Sequence, residues 1–112
     1  MRITVTMARV LSALLEEQEA DRYGLDLMKV TGLTSGSLYP ILRRLEQAGW
    51  LLARWEEIDA VAAGRPARRY YRLTAHGIER AGAALAELHA ATTPRPKGVP
   101  APGAHLRARP AW

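Results

Sequence analysis

Apolar side chains recur along the first half of the chain at the spacing of helices that bury one face. From Thr6 to about Gln18, Met7, Val10, Leu11 and Leu14 fall on one side, with Glu16 and Glu17 behind them. A second amphipathic segment, roughly Arg22 to Thr31, groups Tyr23, Leu27 and Val30. Asp21 is placed to cap its start, and Gly32 suits a left-handed helix end. A third segment carries Leu38, Ile41, Leu42 and Leu45 at i, i+3, i+4 and i+7 and closes at Gly49. There the period changes. Trp50 to Glu57 and Arg68 to Leu73 lack helical spacing and predict two strands, joined by a long loop in which Gly64 and Pro66 make the bend. Thr74 offers an N-cap for a last helix to about Ala91, along which Ile78, Ala81, Leu85 and Leu88 form a narrow seam. From Thr92 onward the chain holds five of its seven prolines and no apolar face, which predicts a disordered basic tail.

Helix, helix, tight glycine turn, helix, two-stranded ribbon and long helix is the order of a winged helix-turn-helix domain. The predicted fold is therefore mainly α with a small β-hairpin. Residues 1–74 form the winged domain, 75–91 a dimerisation helix and 92–112 the tail. If Leu38, Ile41, Leu42 and Leu45 face inward, the third helix turns Gly36, Pro40, Arg43 and Gln47 outward, flanked by Ser37, Tyr39 and Arg44. Its start has two readings. With Ser37 as N-cap, Pro40 lies in the first turn, where a missing N–H is no loss; this is the preferred start. With a start at Thr34, Pro40 strands the Gly36 carbonyl and kinks the helix. In either case Ser35, Gly36 and Ser37 present hydroxyls and free amides suited to a phosphate. Downstream, Arg65, Arg68, Arg69 and Arg72 gather around the loop, a composition suited to a wing whose tip lies along a DNA backbone or in its minor groove.

Charge sharpens this picture. Residues 1–59 hold seven Lys/Arg against nine Asp/Glu, whereas residues 60–112 hold nine against two, so the basic half is the one with the ribbon and tail. A polyanionic partner, double-stranded DNA, fits that asymmetry. The competing reading is a winged helix that meets an acidic partner protein. Absence of cysteine excludes disulfides and thiol chemistry. No stretch has the length or apolarity of a signal peptide or membrane span, so a cytoplasmic protein without membrane association is expected. His76, His89 and His105 lack the spacing of a metal site, and no glycine-rich phosphate loop occurs; catalytic residues, metals and cofactors are not expected.

The strings YGLDLM at 23–28, GLTSGSLYPILRRLEQAGW at 32–50 and GRPARRYYRLTAHG at 64–77 resemble the PadR family of transcriptional regulators, over residues 1 to about 91. The length is similar to the subfamily with one C-terminal helix. That resemblance implies a homodimeric repressor of an inverted-repeat operator. It assigns Ser35, Gly36, Ser37, Tyr39 and Arg43 or Arg44 to operator contact, Arg65 and Arg69 with the neighbouring Arg68 to the wing, and Ile78, Ala81, Leu85 and Leu88 to the subunit interface. Tyr70 and Tyr71, adjacent on a strand, must face opposite sides, so at least one holds the wing to the body. The resemblance also implies a possible small-molecule effector of unknown identity. Members that bind flat aromatic compounds stack them on a tryptophan of the last helix, and this chain has no aromatic residue from Gly77 to Ala91.

Overall fold

The computed structural model describes residues 1–94, which form five helices and a three-stranded antiparallel sheet. The tail expected over 92–112 lies, from residue 95 onward, outside the described residues. Helix α1 spans Val5–Glu16 and is capped by Thr4, whose hydroxyl accepts from the Met7 N–H at 3.1 Å. Met7, Val10, Leu11 and Leu14 are all buried, as their spacing predicts. Helix α2, Gly24–Thr31, ends at Gly32 with φ +73°, the left-handed conformation that glycine adopts without a Cβ penalty. Three residues later α3 begins, running Ser35–Gln47 with Leu38, Ile41, Leu42 and Leu45 buried. Strands β2 (Leu51–Trp55) and β3 (Arg69–Leu73) form the ribbon, in register from Leu51 opposite Leu73 to Trp55 opposite Arg69. Helix α5, Ala75–Thr92, follows at once.

Three features depart from the sequence reading. First, Arg22 and Tyr23 are not helical. They form strand β1, pairing with Tyr71 and Tyr70 on β3, so the sheet order is β1-β3-β2. This pull into the sheet moves the start of α2 to Gly24 and rotates its inner face: Leu27 and Thr31 are buried, whereas Val30 is exposed. Arg22 itself is only 6% exposed. Its guanidinium donates to the Ala13 carbonyl at 2.8 Å and to the Asp26 carboxylate at 2.5 Å, joining α1, β1 and α2. A charge this buried persists because its donors meet oxygen acceptors.

Second, the loop between the wing strands contains a one-turn helix, α4, at Ala60–Ala63. Asp59 caps it by accepting from the Val61 and Ala62 amides at 3.0 and 3.3 Å, and Gly64 ends it at φ +69°. Third, α3 takes the earlier start. Thr34 is its N-cap, the Leu38 N–H donates to the Thr34 carbonyl at 2.9 Å, and Pro40 lies inside the helix. The preferred start at Ser37 is corrected, because packing of Leu38 in the core outweighs the local cost of the proline. That cost is reduced here, since the carbonyl deprived of a donor belongs to exposed Gly36 and water can serve it. Pro40→Ala is expected to raise stability by about 1 kcal/mol, or roughly 4–8 °C in thermal midpoint. An unchanged or lower midpoint would mean that the proline is unstrained.

The core lies where α1, α3 and the sheet meet, and α5 closes it through Ala81. Among the described residues no helix is long and apolar enough to cross a membrane.

Candidate nucleic-acid interface

The outer side of α3 is built as its periodicity requires. Ser35, Gly36, Ser37, Tyr39, Arg43 and Arg44 are all exposed. At its tip the Thr34 side chain makes no capping bond to the helix amides, and the Ser35 and Gly36 N–H groups have no partner within the helix. The Tyr39 ring lies back across the start of α2. A methyl group at Gly24 would stand 2.0 Å from the Tyr39 hydroxyl oxygen, so the glycine is what lets the ring settle there. Tyr39 then lines a groove of about 380 Å³ together with Tyr23, Trp55, Arg68, Arg69 and the buried Tyr71. Thus α3 and the base of the wing open onto one surface.

The wing arginines divide by what they touch. Arg65 gives both terminal nitrogens to the Glu56 carboxylate, at 2.6 and 3.1 Å. That carboxylate also accepts from the Tyr70 hydroxyl at 3.0 Å and the Arg68 backbone N–H at 3.4 Å. Hydrogen bonding from Arg65 is the main cause that holds the Glu56 pKa at about 2 instead of 4.5, and the hydrogen bond to Glu56 pushes the Tyr70 phenol up. Arg65 is therefore a strut of the wing. Arg69 stacks on its cross-strand partner Trp55, 5.1 Å from the ring centroid, and reaches Glu46 of α3 at 3.4 Å. Arg68 lies 4.8 Å over Tyr23, which meets Tyr70 edge to face. Arg72 pairs with Asp21 on another side of the sheet.

The wing tip carries the opposite chemistry from the one expected. Glu57, Asp59 and the apolar α4 occupy it, and Val61 is 91% exposed. The arginines expected there turn back instead: Arg65 to Glu56, and Arg68 and Arg69 over Tyr23 and Trp55. The cations lie at the base of the wing.

Glu56 gives a pH prediction. Its folded pKa is depressed, so its contribution is complete above about pH 4.5 and is lost as the pH falls toward about 2. Glu56→Gln is expected to remove that part of the acid sensitivity, read as the difference between native and variant thermal midpoints across this window. A constant difference would show that the Arg65 contact does not hold the wing.

The seam of α5 is split. Ala81 is 0% exposed and seats α5 on the core of its own chain, where Ile78 and Leu85 also pack. Ala81 as a subunit contact is thereby corrected: no surface remains for a partner. Leu88 instead borders an open groove with Ala84, Ala91, Met1 and Ile3. Of the two tryptophans near the start and end of β2, Trp50 is buried and Trp55 is the surface one, 61% exposed beside Arg69.

Residues that sequence reasoning missed share one trait. Gly24, Glu46, Glu56 and Gly77 act on partners far along the chain, and only the two glycines, standing at helix starts, gave any local signal.

No curated protein matches the chain. Among solved structures, smu.1704 from Streptococcus mutans UA159 is 29% identical, with a TM-score of 0.59 over 79% of this chain and 83% of that one. A PadR-like transcription factor from Bacteroides fragilis is 25% identical, with a TM-score of 0.60 over 73% and 78%. Reduced AbfR bound to DNA, a Staphylococcus epidermidis protein, is 27% identical, with a TM-score of 0.63 over 82% of this chain but only 60% of its own length. The pattern of the transcriptional regulator PadR-like family matches residues 10–83, which include α2, α3, the wing and the start of α5. The chain belongs to the PadR-like family of transcriptional regulators.

Proposed function

We propose that this regulator binds an inverted-repeat operator as a homodimer and represses by occupying it. The observation that carries this reading is the shared face of α3 and the wing base, where Tyr39, Trp55, Arg68 and Arg69 line one groove. In the proposed mode the tip of α3 enters the major groove. The Ser35 and Gly36 amides meet a backbone phosphate, with the helix dipole favouring the negative charge. Tyr39 and Ser37 position the tip, and Arg43 and Arg44 reach base edges or the flanking strand. Arg68 and Arg69 meet the phosphates that run between helix and wing, while Arg65 acts through Glu56 by holding the loop. The structure of AbfR with DNA supports the mode by likeness of fold.

Residues 1–74 act as the DNA-binding unit in this reading and α5 as the arm that joins two subunits, with Leu88 at the contact. Two recognition helices one DNA turn apart then read a palindrome.

The test is fluorescence anisotropy with duplex from the upstream region of the protein's own gene and a shuffled duplex of equal length. Preference for the native duplex by about 10³-fold or more is expected, with affinity falling steeply as salt rises. Equal binding to both would remove the operator reading, and binding to neither would favour a protein partner.

A further inference from the structure

Helix α3 carries Arg43 and Arg44 on its exposed side and a single carboxylate, Glu46, in its last turn. On a surface that meets phosphates an acidic group is a cost, because like charges repel across the contact. Glu46 is not left bare. Among the described residues its ion pair is with Arg69 of β3, at 3.4 Å, and the two side chains are 40% and 32% exposed. This pair is not what holds the wing in place. Register does that, with Arg69 opposite Trp55 across the ribbon, together with the Glu56 carboxylate that gathers Arg65, Tyr70 and the Arg68 N–H. The Trp55 ring, 5.1 Å from the Arg69 guanidinium, gives that group a second seat that does not depend on Glu46.

We propose that Glu46 is a built-in competitor of the DNA backbone for Arg69: in the free protein its carboxylate engages the guanidinium, and a phosphate must displace it. The inference rests on the DNA reading given above. Three observations favour a competitor over a structural clamp. The contact is long and open to water on both sides, the kind of surface pair that contributes little to folding and exchanges readily. Arg69 lines the groove shared by α3 and the wing base, where the proposed mode brings a phosphate. Trp55 keeps the guanidinium at that groove once the carboxylate is given up. A charge balance follows. When Arg69 goes over to a phosphate, the duplex sheds a counterion, but Glu46 is left bare and takes up a cation from solution. One release is offset by one uptake. Glu46 therefore lowers affinity for every duplex alike, by weakening the part of binding that ignores sequence, and leaves base reading to α3.

The test compares the native chain with Glu46→Gln, Arg69→Gln and the double variant, on the upstream duplex and on the shuffled one, across a salt series. Glu46→Gln is expected to tighten binding to both duplexes by about two- to fivefold per subunit and to steepen the slope of log affinity against log salt by up to about 0.9 per subunit. The ratio between the duplexes and the thermal midpoint stay as in the native protein. In the Arg69→Gln background most of that gain should vanish, because no guanidinium remains to be freed. Weaker binding by Glu46→Gln would make the carboxylate a clamp and overturn the proposal. Unchanged affinity would overturn it too, and a gain of the same size without Arg69 would reduce Glu46 to plain repulsion of the backbone. If native protein binds neither duplex, the DNA reading fails and the competition fails with it. If native protein binds both equally while Glu46→Gln still tightens binding through Arg69, the competition stands and the operator reading falls.

Discussion

Gly77→Ala is expected to destabilise the protein by about 3 kcal/mol and to lower its thermal midpoint by more than about 10 °C. A Cβ at position 77 would stand 2.0 Å from the Trp50 carbonyl oxygen and 2.9 Å from the Trp50 Cα. The obstacle is backbone at the end of the α3–β2 connection, which cannot swing aside as a side chain would. It is also tied down. The Thr74 N–H donates to the Trp50 carbonyl at 2.9 Å, its hydroxyl donates to the Gly49 carbonyl at 2.7 Å and accepts from the Gly77 N–H at 2.9 Å. One threonine thus caps α5 and fastens it to the loop leaving α3. Moving that loop moves α3 relative to α5, so DNA affinity is expected to fall together with stability. A midpoint within about 2 °C of native, measured by circular dichroism, would show that the junction yields easily. Gly82, which has nothing within 4 Å of its would-be Cβ, serves as the control, and Gly82→Ala is expected to be neutral or stabilising.

Leu88→Glu is expected to convert the protein to monomers and to weaken operator binding by at least about 100-fold, the order of gain that linking two sites provides. Leu88 is chosen because it faces the groove with Met1, Ile3, Ala84 and Ala91, whereas Leu85 packs on the core of its own chain. In the proposed dimer, a glutamate there would place a charge beside Glu87 and close to its own copy across the two-fold contact. Because the position lies outside the core, the thermal midpoint should change little, which separates loss of pairing from loss of fold. A dimer that persists by light scattering would move the subunit contact to another surface.

The periodic parts of the fold are legible in the sequence because their causes are local. The stripe of Leu38, Ile41, Leu42 and Leu45 specifies both the buried and the exposed side of α3, and the second carries the candidate site. Strand β1 is not legible: two residues make a strand only because Tyr70 and Tyr71 of β3 pair with them. The start of α3 escapes a local reading because the penalty of Pro40 is visible locally, whereas the packing of Leu38 and the seat of Tyr39 on Gly24 are tertiary. Likewise the arginines of the wing are visible as a cluster, but Glu56, which engages Arg65, lies nine residues earlier and meets it only when the loop folds back. Ala81 has the spacing of the interface seam yet belongs to the core, since helical spacing selects a face and not the neighbour it meets.

The tip of α3 and the base of the wing are proposed to touch DNA together while the wing tip stays clear. The chain has no cysteine, so Ser37→Cys, Ala67→Cys and Val61→Cys each carry one photo-activated crosslinker at the helix tip, the wing base and α4. On the upstream duplex, efficient crosslinks are expected from positions 37 and 67 and almost none from 61. Crosslinks from position 61 with none from 37 and 67 would contradict that arrangement.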